Sequence, residues 1–404
     1  MNELVQTTAP AAGWLDRTLR ERLIERLRQL RFGRLILQDG ETVVLGEASD
    51  LTTTVTVTHP GFYRSIAAQG SIGAAEAYMD GYWTCSDLVA LVQLLVRNRE
   101  LLDRLESGSA LLAGYLLRAW HAFNRNNLAG SRRNIAAHYD LGNEFFRLFL
   151  SNDLMYSSAI WQAGDTLEDA ATRKLQVICN KLDLRATDKV IEIGCGWGGF
   201  ALHAAIHAGC HVTAVTISRE QYHLASERVQ QAGLTDQVTV LLRDYRDIEG
   251  QYDKLVSVEM IEAVGAPYLE TYFRQIGHLL KPGGRALIQA ITIEDHRYAQ
   301  ALKSVDFIQR HIFPGSFIPS IAALIAAKSR ATDLALIHLE DFGMSYAQTL
   351  QAWRERFLAQ LPQVRAQGFD DRFIRMWEFY LAYCEGGFRA ASIGVAHLLM
   401  RKPQ

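Results

Sequence analysis

The sequence predicts an α/β protein: a mainly parallel sheet covered by helices on both faces, preceded by a smaller α+β unit. Three observations carry this. From Lys189 to Ile293, short apolar strands alternate with helical stretches. A glycine run, Gly194-Cys195-Gly196-Trp197-Gly198-Gly199, lies between the first of those strands and the helix after it. Ahead of residue 125 the style differs, with valine–threonine strands set among leucine-rich helices.

The elements follow in order. Between Trp14 and Leu35, leucines recur at helical spacing among Arg17, Arg20, Arg22, Arg26, Arg28, Arg31 and Arg34, which predicts a basic amphipathic helix. Such a helix either packs on its own domain or lies on anionic lipid head groups. Arg34–Leu37, the pair Asp39-Gly40 and Thr42–Leu45 read as a hairpin, and Thr52–Thr58 as a half-buried strand. Phe62–Gln69, Ala74–Asp80 and Leu88–Leu105 read as helices. Strands are then expected at Lys189–Ile193, His211–Ile217, Gln237–Leu242, Tyr252–Val258 and Arg285–Ile293. Helices intervene from Phe200, at Arg219–Ala232 and at Tyr268–Leu280. Phe307–Phe357 breaks the alternation, so an insertion covering the substrate is expected over about 300–360, above the strand ends. Phe373–Met400 reads as a helix and then a strand.

Composition narrows the function. The chain has 404 residues, 49% hydrophobic and 21% charged, enough for two domains, which we divide as 1–125 and 126–404. A net charge of -2 supplies no basic field for nucleic acid. The five cysteines are scattered without C-x-x-C spacing, which argues against disulfides and a zinc site; no metal is expected. Residues 1–12 read as disordered, without a signal-peptide pattern, and the most apolar stretch, Ile321–Ala327, is too short to span a bilayer. The expectation is a cytoplasmic protein.

Glycines after a strand let the backbone approach a ligand closely. Gly199 at the sixth position leaves a dinucleotide fingerprint open. Glu192 before the glycines and Lys281-Pro282-Gly283-Gly284 before the fifth strand favour S-adenosylmethionine instead, a pairing common in class I methyltransferases with their Rossmann-like sheet. Thr216 ends the second strand where an acidic partner for ribose is usual, and Asp244 ends the third, where the adenine amino group needs an acceptor.

His138-Tyr139-Asp140-Leu141-Gly142-Asn143, Tyr156-Ser157-Ser158-Ala159, the glycine run, Val215–Ser218, Asp244–Asp247, Ile312–Gly315 and Asp341–Gly343 resemble, in order, the cyclopropane-fatty-acyl-phospholipid synthase family. Glu76–Gly81 is similar to that family's small N-terminal lipid-binding domain. The resemblance implies transfer of a one-carbon unit from S-adenosylmethionine to a cis double bond in a phospholipid acyl chain, through a carbocation. It implies cofactor contacts at Tyr156, Ser157, Gly194, Gly196, Thr216, Gln221, Asp244 and Tyr245. His138 and Tyr139 match a stretch near cofactor and substrate. The resemblance also implies a bicarbonate ion acting as base, held by side chains matching Glu262, Tyr346, Ser158 and Gln289 and by the carbonyl matching Ile291.

This chain departs from that pattern. Ser158 replaces the usual cysteine, Gln289 a histidine, and Glu259 a common glycine. Serine and glutamine still donate hydrogen bonds, which leaves room for a bound anion. Glu259 brings a second carboxylate near Glu262, and repulsion between them can raise one pKa and provide a protein base. Alternatively, Glu259 caps a helix or pairs with an arginine. Glu259–Gly265 also resembles the methyl-branching members, so ring and branch stay open as products. A small-molecule C-methyltransferase and an inactive lipid-binding relative are the competing readings. Peripheral attachment to the inner face of the membrane, and a homodimer by analogy with relatives, complete the expectation.

Overall fold

The computed structural model describes residues 13–101 and 141–404. The expectations for residues 1–12, for the boundary near 125 and for His138 and Tyr139 fall outside that range.

Residues up to Cys85 build a four-stranded sheet in the order β2-β1-β3-β4, from β1 (Arg34–Gln38), β2 (Thr42–Gly46), β3 (Thr52–Val57) and β4 (Trp83–Cys85). β1 and β2 are the antiparallel hairpin, and β3 runs parallel to β1. The first helix, Trp14–Leu27, buries Ile24 and Leu27 in this unit's core. Arg20 donates to Asp39 at 2.5 Å, and the Tyr63 hydroxyl donates to the same carboxylate. The basic helix therefore packs on its own domain, while Trp14, Leu15, Arg17, Arg22 and Arg26 stay exposed. The two expected helices over 62–80 are one assigned helix, Gly61–Met79, kinked at Gly70 (φ 58°, ψ -130°). The next helix, Leu88–Arg97, is interrupted at Asn98, whose side chain turns to bond Arg31, Phe32 and Leu94; residues 99–101 are helical again, and 102–105 of the expected helix lie outside the described residues.

The larger sheet has the order β10-β11-β9-β8-β5-β6-β7. Its strands are β5 (Lys189–Ile193), β6 (His211–Thr216), β7 (Val238–Leu242), β8 (Tyr252–Val258), β9 (Leu280–Ile293), β10 (Ala335–Asp341) and β11 (Ile393–Arg401). The first five run parallel, and β11 lies antiparallel between β9 and β10. Neighbouring residues alternate between faces, as a pleated strand requires. Ile191, Ala286 and Ile288 pack against the Leu269–Leu279 and Ile321–Ala331 helices. Val190, Val256 and Leu287 pack with the Leu167–Leu182 and Gly199–Ala208 helices on the other side.

Residues 335–341 depart from the expected insertion. They form β10, an edge strand of the main sheet whose residues are all exposed, so no buried alternation marks them in the sequence. Residues 304–308, 313, 314 and 316–318 border the cavity above the strand ends.

The Asp371–Arg389 helix joins the two sheets. Glu378 accepts from the Tyr78 hydroxyl at 3.0 Å, and Arg372 pairs with Asp80 at 2.9 Å. A Cβ added at Gly386 would lie 2.6 Å from Val92. Overpacking of that kind costs about 1–3 kcal/mol. Gly386→Ala should lower the urea midpoint accordingly; an unchanged midpoint would mean that the helices separate freely.

Candidate active site

One cavity of about 1040 Å³ opens above the C-terminal ends of β5, β6 and β8. Its lining is mainly apolar and continues into the four-stranded unit through Ile66, Leu91 and Leu95. Ligands in open α/β sheets bind in this position, where backbone amides and strand-end side chains converge.

The glycine turn is pinned from below. The Gly194 and Cys195 amides both donate to the Val215 carbonyl at 2.9 Å. A Cβ at Gly199 would meet Met155 at 2.7 Å, which holds the turn against the 153–155 segment. Gly196, at φ 52°, has open space where a Cβ would go, so the backbone there is free to meet a ligand. Thr216 donates to Gln221 at 2.7 Å, giving a buried polar pair beside the turn. Asp244 is less simple than expected: its carboxylate is held by Arg246 at 2.8 and 2.7 Å. Tyr156 shares a hydrogen bond with Tyr380 at 2.8 Å, and Ser157 accepts from the fully buried Lys174 at 2.8 Å. All the residues expected to touch the cofactor, Tyr156, Ser157, Gly194, Gly196, Thr216, Gln221, Asp244 and Tyr245, border this one cavity. The open cradle and its polar rim fit a nucleoside with an amino-acid tail.

Glu259, Glu262, Ile291 and Tyr346 line the same space. Ser158 and Gln289 are wholly buried behind its wall. Glu259 follows β8 and adopts φ 47°, a left-handed backbone unusual for a side-chain-bearing residue. Three donors converge on its carboxylate: the Ser158 amide at 2.9 Å, the Gln289 amide nitrogen at 2.7 Å and the Tyr346 hydroxyl at 2.6 Å. The Ser158 hydroxyl turns away to the Ala159 carbonyl. Glu262 accepts instead from the Ile291 amide at 2.6 Å, so Ile291 is engaged through its N–H. The second oxygen of Glu262 has no hydrogen-bond partner among the described residues. A bicarbonate ion does not fit here, because Glu259 already occupies the Ser158, Gln289 and Tyr346 donors that would hold it.

Charge divides unequally between the carboxylates. Burial pushes Glu259 up, opposed by the hydrogen bonds from Tyr346, Gln289 and Ser158 and by the charge of Lys174. Burial, and then the charge of Glu259, push Glu262 up to about 8. Donors favour the ionised form. With three donors on Glu259 and one on Glu262, Glu259 is the carboxylate of the pair that carries the negative charge more readily, and Glu262 the one that keeps its proton longer.

Sequence reasoning missed the support for Gln289. The Gln289 oxygen lies 2.9 Å from His397 Nε2, and His397 Nδ1 lies 2.9 Å from the Lys181 ammonium, which also pairs with Glu340. A lysine ammonium only donates, so Nδ1 accepts and Nε2–H donates to Gln289. That fixes the amide with its NH₂ toward Glu259. Burial, and then Lys181, hold the His397 pKa well below its usual value, which keeps the ring neutral. These partners lie 216 and 108 residues apart, and no local pattern points to them.

Comparison with known proteins agrees with this geometry. A family model described as mycolic acid cyclopropane synthetase matches residues 126–398. The chain belongs to that family. Among curated relatives of this synthetase-family chain, tuberculostearic acid methyltransferase UfaA1 of Mycobacterium tuberculosis is 37% identical over 372 residues, covering 90% of this chain and 86% of the relative. The cyclopropane-fatty-acyl-phospholipid synthase of Escherichia coli K12 is 37% identical over 341 residues, covering 84% and 85%. The mycolic acid cyclopropane synthase CmaA1 complexed with SAH and CTAB superposes with a TM-score of 0.63 at 27% identity, over 67% of this chain and 98% of that one. The larger sheet is thus the class I methyltransferase sheet, and this family member is an S-adenosylmethionine-dependent methyltransferase.

The raised Glu262 pKa sets a sign for stability. The folded protein keeps a proton there that the unfolded chain releases near 4.5, so stability falls as pH rises from about 4.5 to about 8. Glu262→Gln, which cannot ionise, should lose that dependence and exceed the parent in urea midpoint at the alkaline end. Parallel pH profiles for the two proteins would contradict the assignment.

Proposed function

We propose that this chain transfers a one-carbon unit from S-adenosylmethionine to the cis double bond of an unsaturated acyl chain in a membrane phospholipid. The product is a cyclopropane or a methyl- or methylene-branched chain. The observation that carries the reading is the single cavity, which joins the glycine turn, the Glu259–Tyr346 pair and an apolar wall running into the four-stranded unit.

Bound at Gly194, Gly196, Thr216 and Gln221, with Asp244, Tyr245, Tyr156 and Ser157 around it, S-adenosylmethionine supplies an electrophilic methyl group. The chain's residues do the rest. Apolar walls exclude water from a cation on the lipid. The rings of Tyr156, Phe313 and Tyr346, all on the cavity, offer π faces to positive charge. Glu259 and Glu262 place acidic groups beside it. Loss of one proton gives the ring or a methylene branch, whereas a saturated methyl branch also needs a hydride from a separate reductant. The two relatives at 37% identity carry one name of each kind, methyltransferase and cyclopropane synthase, so ring and branch both remain in the proposal.

The proposal extends to the chain's surroundings. The N-terminal unit is read as the lipid-binding domain, a role supported by the apolar lining it gives the cavity. No described helix is long and apolar enough to cross a membrane. Peripheral attachment is supported by Trp14, 79% exposed, and Leu15, at the end of a helix carrying exposed Arg17, Arg22 and Arg26. The inner face of the membrane is the proposed location. A homodimer is supported by the apolar, exposed edge strand β10 with Leu336, Ile337 and Leu339.

Incubation with vesicles of dioleoyl phospholipid and methyl-labelled S-adenosylmethionine tests the reading. Mass spectrometry should find labelled acyl chains heavier by one CH₂. Label appearing only in a water-soluble acceptor would replace this reading with the small-molecule methyltransferase.

A further inference from the structure

We infer that Glu259 is this chain's own proton acceptor, its carboxylate filling the seat where the same donors would otherwise hold a small inorganic anion. The inference rests on the lipid one-carbon transfer proposed above and names the base for it.

Geometry makes the case. The Ser158 amide, the Gln289 amide nitrogen and the Tyr346 hydroxyl point at one spot, and the Glu259 carboxylate occupies it. A planar, singly charged oxyanion such as bicarbonate or formate presents the same oxygens to the same donors. Two anions competing for one set of donors in a low-dielectric pocket repel strongly. The Ile291 amide is likewise engaged, by Glu262. The side chain is therefore in place of the ion and not beside it.

The backbone adds an independent observation. Glu259 sits at φ 47°, where a side chain is strained and glycine is not. A residue that is strained where it stands, yet fully hydrogen-bonded at its tip, is retained for what the tip does. Its amide donates to the Gln289 carbonyl at 2.8 Å, so the strand end itself aims the side chain. His397 is a positioning residue in this arrangement, since it turns the Gln289 amide toward the carboxylate.

The alkene's π pair forms the bond to the transferred carbon, and the donor leaves as a neutral thioether. Glu259 then takes one proton from that carbon. The electron pair of the broken C–H bond closes the three-membered ring, and Glu259 becomes the neutral acid until it loses the proton to water. No external base takes part.

Removing the side chain should turn the seat into an anion site. The glycine of Glu259→Gly relaxes the left-handed backbone, so that variant is expected to fold. The test uses the full chain, dioleoyl phospholipid vesicles and methyl-labelled S-adenosylmethionine in carbonate-free buffer, with bicarbonate or formate added. The parent rate should not respond to either ion. Glu259→Gly should lose about 100-fold or more, the range of a general base, and regain at least about tenfold with millimolar bicarbonate or formate. Calorimetry should find bicarbonate binding to Glu259→Gly and none to the parent. A parent rate that needs bicarbonate, or a Glu259→Gly enzyme that keeps full rate without it, would overturn the inference. So would a Glu259→Gly protein that is neither rescued by bicarbonate nor binds it. If the parent labels no lipid in any buffer, the transfer reading itself fails, and the calorimetric comparison still decides what the seat holds.

Discussion

A negative charge held away from bulk water is the constraint around which this site is organised. The Glu259 carboxylate draws the loop at Ser158, strand β9 through Gln289 and the Gly343–Ala359 helix through Tyr346 onto a single point. Each of those groups would be left with an unsatisfied donor if the carboxylate were lost, and unpaired buried donors are costly. The same charge pushes Glu262 up and, after burial, does the same to the Tyr346 hydroxyl. Lys174, fully buried and lowered to about 8 by burial, is opposed in that shift by Asp153, Glu259 and Glu192. Protonation at any one of these groups is felt at the others.

The fold explains why the charge can be held there. Parallel strands end together on one side of a sheet, so β5, β6 and β8 deliver the glycine turn, Thr216 and Glu259 to a common rim. Antiparallel β11 then inserts His397 opposite Gln289 in the register of β9, behind the rim. The aromatic core around Phe145, Phe146, Trp353 and Trp377 packs the helices that close the other side. A site between a rigid strand end and a rigid aromatic wall keeps its donors in place without relying on water.

Much of this was readable in the sequence, and the unread part has physical reasons. Strands β5 to β9 were marked by apolar runs bounded by turns, and the glycine turn by its spacing. Glu259, Glu262, Tyr346, Ser158 and Gln289 were legible as candidates, but their contacts were not. Glu259 was open to reading as a helix cap or an arginine partner, because only the three-dimensional path brings the Tyr346 hydroxyl within 2.6 Å across 87 residues. Ile291 was expected to act through its carbonyl, and the hydrogen bond from its amide to Glu262 was not legible in the sequence. Asp244 is held by Arg246 only two residues on, which spacing alone does not distinguish from a ligand contact. β10 was missed because an edge strand exposed throughout carries no periodic burial. The Gly70 kink was legible only as a gap between two helices.

The distribution of charge between the two carboxylates can be measured directly. Carbon-13 spectra of protein labelled at the glutamate side-chain carboxyl, with Glu259→Gln and Glu262→Gln as assignment controls, report each ionisation state. The expected result is a Glu262 that titrates near 8, with Glu259 the first of the two to ionise. A protonated Glu259 beside an ionised Glu262 at neutral pH would contradict it.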